Sequence, residues 1–250
     1  MPSFDKNPQT LVIKKDHLKV SGDGVFYTLQ GEGSTMGSPA CFLRLHLCNL
    51  QCSWCDTWYT WKKDTKEFWE ESQDWTLEET KQKIEQAWGC VNPLVQKRVV
   101  VTGGEPLLQK NCIEKLMRMM PEWIFEIETN GTILPTDYML EHCQFNCSPK
   151  LANSHNPELA RIKSLVLQTL NKAHTSFKFV VSANSDLDEI ENNFIKPFGL
   201  DIGKVIVMPQ GQSTEEVAKN AQAVAEYTKK KGYRLLDRLH LTIWGAKRKT

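Results

Sequence analysis

The chain has 250 residues, 40% of them hydrophobic, and its 31 basic and 30 acidic side chains leave a formal net charge of +1. This composition excludes a disordered chain, and the balanced charge provides no general field that would attract nucleic acid or acidic membranes. The segment Met1–Thr10 lacks an apolar signal region, and no run approaches the roughly 18 apolar residues that cross a bilayer. We therefore expect a cytoplasmic protein with reduced thiols and without nucleic-acid or membrane partners.

The predicted elements alternate between short apolar strands and amphipathic helices. The stretch up to Gly24 is polar and irregular, with an edge strand at Thr10–Ile13, and Gln30–Pro39 is a glycine-rich loop. Strands are then predicted at Ala40–Leu47, Arg98–Thr102, Phe125–Glu128, Phe145–Ser148, Phe177–Val181, Val205–Met208 and Leu239–Ile243. Helices are predicted at Thr76–Trp88, Leu107–Met120, Pro157–Leu170, Asp186–Phe194 and Thr214–Lys231, with start signals at Thr76, Ser185 and Ser213 and an end signal at Gly232.

This alternation predicts βαβ units and a parallel sheet. The units are too few for a full eightfold barrel, so we favour an incomplete (β/α) barrel over a doubly wound open sheet. We expect one domain over residues 1–250, with a tryptophan-rich insertion at 58–75 that packs on the barrel rather than binding a partner. In either architecture ligands bind at the carboxyl ends of the parallel strands. The motifs described below follow predicted strands directly, which places them together at that end.

Three cysteines within eight residues form the most informative motif. Cys48, Cys52 and Cys55 have the spacing C-x3-C-x2-C and follow a predicted strand. A structural zinc site closes its shell with four ligands, and ordinary four-iron clusters also use four cysteines. Three thiolates on a four-iron cluster leave one iron open to a substrate or cofactor, which favours a chemical role. The alternative is a zinc site completed by Cys41 or His46. We expect structural roles for Cys90, Cys112, Cys143 and Cys147.

Two segments carry a family resemblance. Arg44–Thr57 resembles the cluster loop of the radical S-adenosylmethionine enzymes. Together with Phe26–Gly33, which reads FYTLQGEG, it resembles more narrowly the 7-carboxy-7-deazaguanine synthase family. The resemblance extends from about Phe26 to Gln210 and, more weakly, through Trp244 and Gly245. It implies a four-iron, four-sulfur cluster, S-adenosylmethionine and Mg²⁺ as cofactors.

The resemblance also implies a reaction and partners. Cleavage of S-adenosylmethionine at the open iron would give a 5′-deoxyadenosyl radical, which takes a hydrogen from 6-carboxy-5,6,7,8-tetrahydropterin. The pterin ring would contract and lose ammonia to give 7-carboxy-7-deazaguanine, a step of queuosine and 7-deazapurine biosynthesis. Family members are expected to be homodimers that receive electrons from an external donor such as flavodoxin.

Site residues are carried over only where this sequence matches the family pattern. Cys48, Cys52 and Cys55 are then expected to hold the cluster, and Thr57 to bind Mg²⁺. S-adenosylmethionine is expected to contact Trp54, Asp56, Gly104, Ser148, Lys150 and Gln210. The pterin is expected to contact Leu29, Gln30, Gly31, Arg44 and Thr102.

Purely structural roles are the alternative for several of these residues. For Arg44 it is a salt bridge with Glu105 or Glu128, since a charge on an apolar strand costs free energy unless it is paired. For Gln30 it is a solvated loop position, and for Thr57 a hydroxyl that caps a turn. The segments Ser148-Pro149-Lys150 and Met208-Pro209-Gln210-Gly211 are ordinary turns in that interpretation.

Two other functions are compatible with the cysteine motif alone. An activase that makes a glycyl radical on a partner protein has the same cysteine spacing, but the Gln30–Gly33 loop and Thr57 argue against it. A zinc or iron–sulfur module without catalytic activity would differ in colour and metal content, because a catalytic cluster carries about four irons.

Overall fold

One sheet organises the chain in the computed structural model, which describes residues 6–89 and 92–247. Its nine strands within those residues are β1 His17–Leu29, β2 Pro39–Leu45, β3 Ser72–Thr76, β4 Arg98–Gly103, β5 Ile124–Thr129, β6 Cys143–Cys147, β7 Thr175–Val181, β8 Val205–Pro209 and β9 Arg234–Leu235. Their spatial order is β3-β1-β2-β4-β5-β6-β7-β8-β9. From β2 to β9 the neighbours are parallel, whereas β1 is antiparallel to both β2 and β3.

The sheet does not close on itself. Within the described residues, the edge strands β3 and β9 do not pair, and no eighth parallel strand joins the seven that run from β2 to β9. The predicted incomplete (β/α) barrel is therefore confirmed.

Helices occur in all five segments where the periodicity predicted one, and in others where it did not. They are α1 Lys66–Glu70, α2 Leu77–Trp88, α3 Lys110–Met119, α4 Asp137–His142, α5 Glu158–Arg161, α6 Ser164–Lys172, α7 Asn184–Glu189, α8 Lys196–Phe198, α9 Thr214–Lys231 and α10 Leu239–Trp244. The Thr76 and Ser213 hydroxyls accept hydrogen bonds from the amides of Glu79 and Glu216, so these two start signals are confirmed. Gly232 ends α9 with φ 74°, as its sequence position predicted.

Side chains on the parallel strands alternate between an apolar and a polar face. On β5, Phe125 and Ile127 belong to the core that the helices cover, whereas Glu128 lines a cavity on the other face. On β7, Phe177 belongs to that core and Lys178 lines the cavity. The concave face of the open barrel is therefore charged and is available for binding.

The two ends of the chain differ from the prediction. Thr10–Ile13 is not an edge strand, because Pro8–Leu11 forms a 3-10 turn capped by the Asn7 side chain. The stretch before Gly24 is not irregular, because β1 begins at His17 and is hydrogen-bonded to strands on both sides. At the other end, Leu239–Ile243 is helical (α10), since a short apolar run does not distinguish a strand from a helix.

Two predicted helices are interrupted or shifted. Pro157–Leu170 breaks between α5 and α6, where Ile162 is extended with φ −111° and ψ 117°. The buried Arg161 just before the break donates a hydrogen bond to the Lys150 carbonyl and pairs with Glu189, which fixes the chain there. The predicted start at Ser185 is wrong. The Asp186 carboxylate accepts hydrogen bonds from the amides at 182 and 183, so α7 begins at Asn184 and continues into a π-helical turn, Ile190–Ile195.

Candidate active site

A cavity of about 460 Å³ lies at the carboxyl ends of the parallel strands. Its wall contains every residue to which the sequence assigned a cluster, cofactor, magnesium or substrate role: Leu29, Gln30, Gly31, Arg44, Cys48, Cys52, Trp54, Cys55, Asp56, Thr57, Thr102, Gly104, Ser148, Lys150 and Gln210. Twelve of these fifteen residues lie on or directly after β2, β4, β6 and β8, whose carboxyl ends the parallel topology brings together, whereas Leu29, Gln30 and Gly31 lie at the end of the antiparallel β1.

The cysteine loop leaves β2 and turns over the cavity. Leu47 has the positive φ of 77°, which redirects the chain just before Cys48. Burial raises the pKa of the Cys48 thiol to about 12, and burial also raises the pKa of Cys52. The nitrogen of Asn156 lies 3.3 Å from the Cys52 sulfur, and the Thr57 hydroxyl lies 3.5 Å from the Cys55 sulfur.

Neither proposed fourth zinc ligand reaches the cavity. Cys41 is fully buried behind the strand, with its sulfur against the Ile84 carbonyl. The His46 ring packs on Phe68 and lies 3.3 Å from the Ser21 hydroxyl, and burial lowers its pKa to about 4. The zinc alternative therefore lacks a fourth ligand from either residue.

Backbone hydrogen bonds hold the Gly103-Gly104-Glu105 segment against the chain that leads into the cysteine loop. The Gly104 amide donates to the Leu45 carbonyl at 3.0 Å, and the Glu105 amide donates to the Leu47 carbonyl at 2.8 Å. A Cβ on Gly104 would lie 1.9 Å from that Leu47 oxygen, so only glycine permits this approach. Burial raises the pKa of the Glu105 carboxyl, which accepts hydrogen bonds from the amides of Leu107 and Asn130.

Arg44 has no carboxylate partner among the described residues. Its guanidinium carbon lies 5.5 Å from the centre of the Phe26 ring. Glu105 is occupied by backbone amides, and Glu128 accepts a hydrogen bond from the Thr102 hydroxyl at 2.6 Å. The salt-bridge alternative for Arg44 is therefore wrong, and an unpaired guanidinium lines the cavity.

The alternatives for Gln30 and Thr57 also fail. Gln30 is 1% exposed, and its amide nitrogen lies 2.8 Å from Glu126 and 3.2 Å from Glu128, so it orders two carboxylates instead of facing solvent. The Thr57 side chain makes no capping hydrogen bond to the 3-10 turn Trp58–Thr60 that follows it.

The turn after β6 presents a cation beside an aromatic ring. The Lys150 ammonium donates a hydrogen bond to the Ser148 hydroxyl at 2.9 Å and lies 5.5 Å from the centre of the Trp54 ring. The Trp54 indole N–H in turn donates to the Asn153 carbonyl at 3.1 Å. The Gln210 backbone is held by its amide donating to the Val181 carbonyl.

A charge network at the cavity was not predicted from the sequence. Glu32 lies between Lys178 on β7 and Arg238 before α10, and Arg238 also reaches Asp56. Burial opposes ionisation of Glu32, but the charges of Lys178 and Arg238 outweigh it and hold its pKa well below the usual range. Glu32 and Asp56 lie in the two segments that carry the family resemblance, whereas Lys178 and Arg238 stand in no recognisable motif.

The insertion at 58–75 contributes to both core and cavity. Tyr59, Phe68 and Trp75 are buried, and Trp58 and Trp61 line the cavity. The remaining cysteines expected to be structural, Cys112, Cys143 and Cys147, are buried free thiols, while Cys90 lies outside the described residues. No helix of the described chain combines the length and apolar character that crossing a bilayer requires.

Comparison with known proteins identifies the family. The model of the radical SAM superfamily matches residues 44–148. A 7-carboxy-7-deazaguanine synthase from Pyrobaculum aerophilum is 33% identical over 231 residues, which cover 90% of this chain and 94% of that protein. This chain belongs to the 7-carboxy-7-deazaguanine synthase family.

Further relatives agree with the 7-carboxy-7-deazaguanine synthase assignment. The Halobacterium salinarum protein of that name is 33% identical over 88% of each chain. The crystal structure of QueE from Escherichia coli matches 90% of this chain and 95% of its own, with a TM-score of 0.66 and 25% identity. The chain is accordingly a radical S-adenosylmethionine enzyme with a four-iron, four-sulfur cluster. This assignment decides against both the activase and the non-enzymatic module.

The residues at the cavity fit these cofactors of the 7-carboxy-7-deazaguanine synthase family. Three thiols line the wall, and in the described part of the chain no further cysteine lines it. The approach of backbone at Gly104 leaves no side chain between the glycine loop and the cysteine loop. Two cavity-lining groups, the Thr28 hydroxyl and the Trp61 indole nitrogen, have no hydrogen-bond partner among the described residues.

Proposed function

We propose that this chain converts 6-carboxy-5,6,7,8-tetrahydropterin to 7-carboxy-7-deazaguanine and ammonia. The observation that carries the proposal is one cavity that contains both a three-cysteine cluster loop and an unpaired guanidinium, Arg44. The identity of the substrate follows from the family, and the cavity contains the charged and polar groups that would bind an anionic, flat heterocycle. A carboxylate would pair with Arg44, and the acidic and amide groups opposite would bind the polar edge of the ring.

The cofactors and the protein have different roles in the proposed reaction. When bound, the cluster and S-adenosylmethionine supply hydrogen-atom abstraction, and the chain supplies orientation and exclusion of water. Cys48, Cys52 and Cys55 hold the cluster. Gly104 lets backbone approach the methionine end of S-adenosylmethionine, and the remaining contacts to that cofactor come from Trp54, Asp56, Ser148, Lys150 and Gln210.

The substrate lies on the side of the cavity formed by β1, β2 and β4. Leu29, Gln30 and Gly31 contact the pterin ring. The side-chain nitrogen of Gln30 also binds Glu126 and Glu128, so that Gln30 holds these carboxylates in position beside the ring. Thr102 acts in the same way, since its hydroxyl donates to Glu128.

Mg²⁺ would be held by Thr57 together with substrate oxygens and water. A single hydroxyl is a weak ligand, and magnesium normally keeps several waters and bridges to ligand oxygens. Asp56 is adjacent in sequence, but its carboxylate is bound to Arg238. The role of Thr57 therefore depends on the substrate carboxylate.

The decisive experiment is anaerobic reconstitution of the cluster, followed by addition of the pterin, S-adenosylmethionine, reductant and Mg²⁺. We expect 7-carboxy-7-deazaguanine and one equivalent of ammonia per turnover, both absent with a Cys52→Ala variant. Cleavage of S-adenosylmethionine without formation of the deazaguanine would refute the substrate assignment while leaving the cofactor assignment intact.

The proposal also includes the domain organisation, the cellular location and the partners of the enzyme. The enzyme acts as one domain over residues 1–250, with 58–75 as an insertion at the cavity wall. It works in the cytoplasm, which suits the seven described cysteines, all of them free thiols. It forms a homodimer and receives electrons from a flavodoxin-like donor. Sedimentation of the holoenzyme, and turnover with reduced flavodoxin in place of dithionite, test the last two features directly.

A further inference from the structure

Asn156 bridges the cysteine loop to the turn after β6. Its side-chain oxygen accepts a hydrogen bond from the Gln51 amide at 2.9 Å, and its nitrogen lies 3.3 Å from the Cys52 sulfur. The other neighbours of that nitrogen are oxygens of Ser154. The Gln51 N–H requires an acceptor, so the oxygen of the Asn156 side chain must face it. Only this orientation of the Asn156 side-chain amide satisfies all partners, and it directs the N–H groups at the Cys52 sulfur and at Ser154.

The turn that carries Asn156 is fixed by the surrounding structure. The Arg161 guanidinium binds the Lys150 carbonyl at 2.8 Å and Glu189 at 2.9 Å. Glu189 in turn accepts a hydrogen bond from the Ala152 amide, which starts the 3-10 turn before Asn156. The position of the amide nitrogen therefore does not depend on the cysteine loop alone.

A second tether joins the two loops without touching sulfur. The Ser53 amide donates to the Ser154 carbonyl at 3.1 Å, and the Ser53 hydroxyl lies 2.9 Å from the His155 ring nitrogen. Asn156 differs from these contacts because it meets a thiol that lines the cavity. Asn156 lies outside the segments that resemble the cluster loop, 104 residues from Cys52.

We propose that Asn156 is a positioning residue that donates an N–H···S hydrogen bond to the Cys52 thiolate and thereby raises the reduction potential of the cluster. The inference rests on the proposed assignment of Cys48, Cys52 and Cys55 to that cluster. Hydrogen bonds to ligand sulfurs are among the factors that set iron–sulfur potentials. A donor stabilises the more negative, reduced state, so its removal makes reduction harder.

The test measures the midpoint potential of the reconstituted cluster by titration followed by electron paramagnetic resonance. Asn156→Asp is the informative variant, because it keeps an oxygen for the Gln51 amide and, at about pH 8, offers a carboxylate instead of an N–H. We expect reduction to become about tenfold less favourable, which is about 59 mV for a one-electron couple. Asn156→Ala is expected to shift the potential in the same direction.

Ser53→Ala is the matched control, since it removes a contact between the same loops but none to sulfur. We expect this variant to keep the wild-type potential and the wild-type iron content. Nitrogen-15 in asparagine should also give a hyperfine coupling to the reduced cluster that disappears in Asn156→Asp.

The possible outcomes separate the two assignments. If the wild-type protein binds about four irons and the Asn156 variants match its potential, the role of Asn156 is refuted and the cluster site stands. If Ser53→Ala shifts the potential as far as Asn156→Asp does, loop rigidity and not the hydrogen bond is responsible, and the proposal is again wrong. If the wild-type protein binds no cluster through its three cysteines, the proposed function fails as well.

Discussion

Arg238 and Asp56 are 182 residues apart in the chain, yet the guanidinium nitrogen lies 2.8 Å from the carboxylate oxygen. Asp56 directly follows the last cysteine of the cluster loop. Arg238 also binds Glu32 at 2.9 Å and the Gly211 carbonyl. The segment before α10 thus joins the cluster loop to the loops that follow β1 and β8, and it closes one side of the cavity.

Removal of Arg238 should destabilise the protein measurably. Arg238→Ala leaves Glu32, whose side chain is only 15% exposed, with Lys178 alone. We expect a loss of about 3 kcal/mol in the free energy of unfolding, the lower end of the range for breaking a buried ion pair. Urea denaturation measures this loss. The control is Lys115→Ala, which breaks an exposed pair with Asp16 and should change little because water screens that pair. Equal effects of the two substitutions would contradict the structural role of Arg238.

Glu32 should make stability depend on pH at the acidic end. Its pKa is lowered on folding, so the folded state binds fewer protons than the unfolded state. The stabilisation that ionised Glu32 gives to the folded state is complete above the pKa of this carboxyl in the unfolded chain, about 4.5, and is lost as the pH falls below that value. Glu32→Gln should be less stable than the wild type at neutral pH, with a difference that shrinks below about pH 4. A difference that stays constant in urea titrations across this range would show that folding does not lower the pKa of Glu32.

Arg44 should affect substrate affinity more than stability. Arg44→Ala removes a guanidinium that has no ion pair within the described residues, so we expect a nearly unchanged free energy of unfolding. We expect KM for the pterin to rise by roughly 10- to 100-fold, as for the loss of a hydrogen bond to a charged group worth about 1.5–3 kcal/mol. Arg44→Lys should recover part of the affinity, because it restores the charge but not the planar fork. A variant that unfolds easily while binding the pterin normally would reverse this assignment.

Gly104 should tolerate no side chain. In Gly104→Ala the new Cβ would meet the Leu47 carbonyl oxygen at 1.9 Å, so the cysteine loop must move. We expect the purified variant to bind less iron after reconstitution and to melt at a lower temperature. Gly203→Ala is the control, because its Cβ would meet only the Asp201 side chain, at 3.3 Å. Normal iron binding by Gly104→Ala would show that the two loops are not coupled.

The sequence was sufficient for the strands and motifs that depend on local pattern. Apolar runs such as Val205–Met208 and Phe177–Val181 predicted strands that the structure contains within a few residues. The hydroxyls of Thr76 and Ser213 predicted helix starts because a cap interacts only with the next turn. The cysteine spacing and the Phe26–Gly33 segment identified the family, since the residues that bind a common cofactor recur as short contiguous motifs.

Only the tertiary structure decided which polar groups meet across the cavity. Arg238, Lys178 and Glu32 stand in three distant segments, and their pairing depends on how the open barrel curves and where α10 returns over it. The unpaired state of Arg44 was equally undetermined, because it depends on Glu105 and Glu128 being bound elsewhere. Secondary-structure elements and short motifs depend on interactions between residues that are close in sequence, so the sequence alone predicts them. Charge pairing at a buried site depends on how the whole sheet assembles, because the partners come from distant segments.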